Sequence, residues 1–230
     1  LTNQLPEVLA ELQAAGTAQN RKVYARHGVQ SEMFGVSFGT LRKLGNKLRP
    51  DLELAVALWD TQNHDARLLA CMVADPERVS EAQLVRWAKD LDNYIVVDEL
   101  AALIAKTPYL KPCFNRWKSS RVEWPGALAW TLLAHRAMSP SQEPDEYFEQ
   151  LLVEIEAKIH ARPNRCRHSM NGALIAIGCR NPVLRQRAET VAGRIGRVEV
   201  DHGETSCVTP DAAEYIARTW EHKQRKAAKK

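Results

Sequence analysis

No apolar run in the chain approaches the roughly 18 residues a membrane-spanning helix needs, and the N-terminus carries no signal-peptide pattern. The reading is a protein that does not enter the membrane and stays in the cytoplasm. Cysteine is sparse and badly spaced for disulfides or zinc. Cys71, Cys113, Cys166, Cys179 and Cys207 are odd in number and form no C-x-x-C pair, which fits reduced thiols. His202 and Cys207 lie near each other, but two candidate ligands do not make a zinc site, so no structural metal is expected. There is no G-x-S-x-G, no Walker A loop and no H-E-x-x-H. Those absences remove the serine-hydrolase, P-loop and zincin readings, and no cofactor is implied. Strand signals are missing too, apart from the alternating Val198 and Val200 in 196–200, which reads as an extended loop.

What the chain does contain is helix-forming sequence of ordinary globular composition. Of 230 residues, 45% are apolar and 26% charged, enough to bury a full core. The formal charge of +4 is unevenly spread. Residues 218–230 sum to +5, leaving a body of −1. That division suggests a single domain over 1–217 and a mobile basic tail over 218–230. Within the body, 141–156 holds six acids and no Lys or Arg, whereas 158–197 holds nine Lys/Arg against Glu189 alone. A basic stretch of that density is either a footprint for phosphate or a set of solvated helix faces.

The periodicity predicts helices over 5–15, 21–27, 38–48 and 52–59, one that begins at Asn63 or His64 and is ended by Pro76, and others over 81–89, 125–138, 145–159, 165–178 and 183–195. Asp51, Ser80 and Asn164 serve as caps, and Thr209, Pro210 and Asp211 as N-cap, N1 and N2 of a last helix. Pro108 and Pro112 bracket a short helical turn. Pairs of helices with short connections recur at irregular spacing. The second of each pair is rich in small residues, as in ARLLACM, ELAALIA, ALAWTLLA and MNGALIAIG. This pattern is that of an all-α, curved α-solenoid built of degenerate HEAT-like repeats. Its concave face would suit a duplex or a partner protein.

The stretch that organises the chemistry is 89–106, KDLDNYIVVDELAALIAK. Asp92 or Asn93 caps its helix, and Tyr94, Val97, Ala101 and Ile104 form its apolar stripe. Asp98 stands one turn after Tyr94, so an acid and an aromatic ring share a face. The plain alternative is a surface acid favoured by the helix dipole. Elsewhere, most of the six tryptophans read as core. Trp124 and Trp130 can place two rings near one surface. Arg165, Arg167 and His168 fall in the first turn of a helix, where free N–H groups and guanidinium forks hold anions.

These stretches resemble the AlkD-like DNA alkylation repair family of HEAT-like repeat proteins. The resemblance rests on RHGVQSEMFGVSFGTLRKLGNKL, VALWDTQNHDARLLA, DLDNYIVVDEL, SMNGALIAIG and IGRVEVDHGETSCVTPDAAEYI, and covers most of the length. It implies a DNA glycosylase that grips the duplex on its concave face and excises cationic N-alkylpurines of the 3-methyladenine and 7-methylguanine type. By that resemblance Asp98 matches the catalytic acid, and Tyr94 an aromatic position usually filled by tryptophan. The family arginine falls at Ala127 and a second family tryptophan at Gly172, so both are missing here. Trp130 can supply a ring, and Arg121, Arg165 or Arg167 a charge.

The expectation is a monomeric repair protein that binds double-stranded DNA containing alkylated bases, with Asp98 and Tyr94 catalytic. Arg165, Arg167, His168, Arg121 and Trp130 are the expected DNA contacts. The alternatives are a non-catalytic HEAT-like binder of damaged, bent or branched DNA, and a protein-interaction scaffold.

Overall fold

Local signals fix most helix boundaries in the computed structural model, which describes residues 4–140 and 143–228. Lys229 and Lys230 of the basic tail lie outside the described residues. Thirteen α-helices are found among them: α1 Gln4–Ala15, α2 Ala18–Arg26, α3 Phe38–Leu48, α4 Leu52–Asp60, α5 His64–Val73, α6 Glu81–Lys89, α7 Tyr94–Ile104, α8 Leu110–Trp117, α9 Glu123–Met138, α10 Asp145–Lys158, α11 Asn164–Gly178, α12 Pro182–Ile195 and α13 Ala212–Ala227. The same residues contain no strand, and 196–200 is extended loop. The all-α expectation holds.

Caps explain the starts. Ser37, Asp51, Ser80 and Asn181 each accept a hydrogen bond from the backbone N–H three residues on, which satisfies one donor of the open first turn. Asn63 and Asn93 each accept two. Several predicted starts shift: α2 begins at Ala18 rather than 21, capped by Thr17, and α9 at Glu123 rather than 125. Asn164 is the first residue of α11 rather than its cap, with Pro163 before it. At the last helix the cap is Asp211, which accepts from Glu214 N. Thr209 and Pro210 stay outside the helix because their groups are used elsewhere, as described below.

The described residues divide into two compact units, one holding 4–113 together with His202–Ser206, the other holding 114–140, 143–201 and 207–228. In the first unit α5 packs against α3, α4 and α7, and α6 against α7. Its core includes Leu12, Leu41, Leu58, Leu68, Leu69, Leu84, Leu100 and the stacked pair Trp59 and Trp87, 4.6 Å apart. In the second unit α11 is central, against α9, α12 and α13, and α10 lies on α12. Its core runs from Phe114 and Trp130 through Phe148, Met170 and Leu174 to Ile216.

The described part of the basic tail is helical. α13 continues through residue 217 to Ala227. Trp220 packs on the second core, and its Nε1 donates to Gly178 O at 2.9 Å. Lys223 Nζ donates to Cys179 O at 2.5 Å, completing carbonyls that the end of α11 leaves open.

Candidate active site and nucleic-acid interface

The first unit builds its site on a buried carboxylate. Asp65 is fully buried, yet it accepts three backbone hydrogen bonds, from Phe34 N (2.7 Å), Gly35 N (3.0 Å) and Val36 N (2.7 Å). Charge-assisted bonds of this kind offset the cost of removing a carboxylate from water. Gly35 has φ +80°, and a Cβ there would lie 2.6 Å from Thr17 O, so only glycine fits this turn. Tyr24 Oη donates to Val36 O at 2.6 Å, and burial with the nearby Asp65 charge pushes its hydroxyl up to about 12. The loop after α2 is thereby clamped onto α5.

The start of α7 is fixed by neighbouring groups. Asn93 is buried and caps the helix through Oδ1, while its Nδ2 donates to Asp92 Oδ1 at 2.7 Å. The same Nδ2 lies 3.5 Å from His64 Nδ1. Buried Arg67 reaches Asp90 O (3.2 Å) and Asp92 Oδ1 (3.4 Å), with its guanidinium 5.7 Å from the Trp59 ring. Burial drives the His64 imidazole down to about 4, so it is neutral at physiological pH.

This frame places Tyr94 at the first position of α7 and Asp98 one turn later. The Tyr94 hydroxyl is hydrogen-bonded to His27 Nδ1, and the two rings are 6.0 Å apart. Val23, Tyr24, Phe38 and Ile95 complete a depression of about 300 Å³ in which His27, Tyr94, Asp98 and Glu99 meet. Asp98 is exposed, whereas Val97, Ala101 and Ile104 are buried. The structure thus joins the two predicted catalytic residues on one open face. It adds His27, which lies in a stretch that carries the resemblance but had no assigned role, because its contact with Tyr94 spans 67 residues.

The expected DNA contacts of the second unit fare differently. Trp130 is fully buried, edge-on to Phe114 at 5.7 Å. It cannot present a ring to a ligand, which corrects the expectation: its indole fills the core between α8 and α9. The N-terminus of α11 is not an open anion site either, since Glu123 Oε1 already accepts from Arg165 N at 2.7 Å. Arg167 donates to Asn164 Oδ1 at 3.3 Å, and His168 Nδ1 is 3.2 Å from Thr209 Oγ1. Asn164 exchanges two bonds with Asp201, and Asn171 Nδ2 donates to Pro210 O at 2.9 Å. Arg167 and His168 therefore serve this anchorage. The polar start of α11 ties down the chain on either side of residues 202–206. Arg121 is exposed at the turn before α9.

The wider basic stretch is largely compensated. Arg187 pairs with Glu149 (3.3 Å), Arg194 with Glu156 (2.5 Å) and Lys158 with Glu154 (2.8 Å). Arg162 and Arg180 instead donate to backbone carbonyls of 118, 120, 137 and 139. The acidic and basic blocks of the sequence are two sides of one packing arrangement.

Among the described residues no three His, Cys, Asp or Glu side chains come together to hold a metal ion, and no helix is long and apolar enough to cross a membrane. At the positions where the resemblance leaves residues missing, Ala127 is buried at 1% exposure and Gly172 is exposed, with nothing within 4 Å of a Cβ built there.

Comparison with known proteins agrees with this architecture. A solved structure from a family related to the HEAT-like repeat DNA glycosylases, with affinity for branched DNA structures, matches with a TM-score of 0.88. The match is 24% identical and covers 95% of this chain and 94% of that one. The fold is therefore the HEAT-like repeat fold. Uncharacterized proteins of Listeria innocua and Listeria monocytogenes are 27% and 26% identical over 215 residues, 90% of this chain and 93% of theirs. The family model described as DNA alkylation repair enzyme matches residues 8–216, and the chain belongs to that family.

Proposed function

We propose that this chain binds double-stranded DNA and hydrolyses the N-glycosidic bond of cationic N-alkylpurines, with Asp98 as the essential carboxylate. The observation that carries this reading is the exposed Asp98 beside Tyr94 and His27 on one open depression. An alkylated purine already bears positive charge, so it departs with the bonding electron pair and needs no general acid. The deoxyribose becomes an oxocarbenium ion, which a nearby carboxylate stabilises as glycosidase carboxylates do. Water then adds at C1′, and its proton passes to Asp98 or to solvent. The Tyr94 face supports the cation by cation–π attraction. Arg121 and Arg165 are assigned to phosphate contact, and the protein acts as a monomer in the cytoplasm.

A second reading is a non-catalytic binder of branched or damaged DNA. It is favoured by the bare position at Gly172, where the family resemblance calls for a tryptophan. The affinity of the structural relative for branched DNA points the same way.

Base release from duplex DNA containing 7-methylguanine separates the two. Wild type is expected to release the base and Asp98→Asn to lower the rate by about 100-fold or more, with duplex affinity retained. No release at protein levels that saturate the duplex would leave the binder reading in its place.

A further inference from the structure

A second depression lies beside the first, and Glu99 of α7 lines both. It measures about 240 Å³, and Arg42, Asn46, Arg49, Met72 and Lys106 also line it. Its floor is set by a close approach of α3 and α5. A Cβ at Gly45 would lie 2.9 Å from Met72 Cβ. Arg42, three residues before Gly45 on α3, falls on that same face, and Arg49, the residue that ends the helix, also lines the depression. Lys106 follows the end of α7.

These cations differ from those of the second unit. Arg187 and Arg194 are neutralised by glutamates. Among the described residues, Arg42, Arg49 and Lys106 form no ion pair within 4.0 Å, and all three are exposed. The acid that lines the depression with them is Glu99, whose carboxyl burial pushes up against the pull of Arg42 and Lys106. The depression is net positive, with two guanidinium forks, one ammonium and the Asn46 amide as donors. Guanidinium forks match phosphate oxygens two at a time, and an ammonium adds a point charge.

We propose that Arg42, Arg49 and Lys106 seat one phosphodiester group of a DNA strand, beside the depression where the neighbouring deoxyribose meets Asp98. The inference rests on the reading above that DNA is the ligand. Seating the phosphate fixes the strand on α3 and α7, so that the sugar is positioned by the same helix that carries the carboxylate. A group held in register in this way reacts without the entropic cost of finding it.

The test is the salt dependence of binding to an unmodified duplex, followed by fluorescence anisotropy. Wild type is compared with Arg42→Ala/Lys106→Ala and with Arg187→Ala/Arg194→Ala, which removes the same formal charge from paired positions. Losing one phosphate contact should lower the slope of log K against log salt by about one unit, with affinity falling on the order of tenfold at low salt. The paired-position variant should keep the wild-type slope. Glu99→Gln should tighten binding by removing the local negative charge. Equal slopes for the two double variants overturn the seat, as does a wild type that binds no duplex. A slope that falls as expected, in a protein that releases no methylated base, keeps the seat and removes only the catalytic reading.

Discussion

A single side chain, Asp65, holds the loop after α2 onto α5 in the first unit. Replacing it by alanine leaves the N–H groups of Phe34, Gly35 and Val36 without their acceptor. Two of those bonds are buried, and stranded buried donors are costly. Asp65→Ala should lower unfolding stability by about 3–5 kcal/mol, read from urea midpoints. Its neighbour His64 sets a pH limit. In the unfolded chain an imidazole titrates near 6.5, whereas burial holds His64 at about 4 in the folded protein. The stability tied to neutral His64 is fully present above pH 6.5. It falls as pH drops from there toward 4, because only the unfolded chain takes up the proton over that range. The loss should approach about 3 kcal/mol. Denaturant unfolding at pH 7 and pH 4.5 checks this: the pH-dependent loss should be smaller in His64→Asn than in wild type by that component.

At the scale of elements, the second unit depends on close approach around α11. A Cβ on Gly178 would lie 2.5 Å from Ile216 Cδ1 of α13 and 2.9 Å from Ala188 Cβ of α12. Gly178→Ala forces those helices apart and should destabilise the protein by about 1–3 kcal/mol, measured as a lowered unfolding midpoint. The anchorage of α13 should suffer first, since Trp220 bonds to the carbonyl of Gly178 itself. The ion pairs between α10 and α12 are surface contacts worth roughly 0–1 kcal/mol each. They set which faces of the two helices meet more than how tightly they hold.

At the scale of the whole molecule, what could be read from the sequence was what neighbouring residues decide. α3 spans the 38–48 that its periodicity predicts, and α6 begins and ends where periodicity and the cap Ser80 place it. Asp98 and Tyr94, four residues apart, share a face because helix geometry alone requires it. The limits lie in contacts between distant residues. His27 reaches Tyr94 across 67 positions. Arg187 and Arg194 find glutamates 38 positions away, which turns an apparent phosphate footprint into internal compensation. Trp130 could be assigned to surface or core only when packing was known. Thr209 failed as a cap because its hydroxyl meets His168 from another helix. No local rule contains any of those partners.

The burial of the cysteines has a practical consequence. Cys71, Cys113, Cys166 and Cys179 are buried and only Cys207 is exposed, and burial raises the first, third and fourth of these thiols away from the reactive thiolate. The folded protein should consume one equivalent of a maleimide and the denatured protein five, as counted by intact-mass spectrometry. A dye can then be attached at one defined point without mutagenesis. That point lies two residues from Thr209, on the segment that His168 and Asn171 hold against α11. The natural chain therefore carries its own site for a fluorescent reporter, able to register any strain that a bound ligand transmits to that segment.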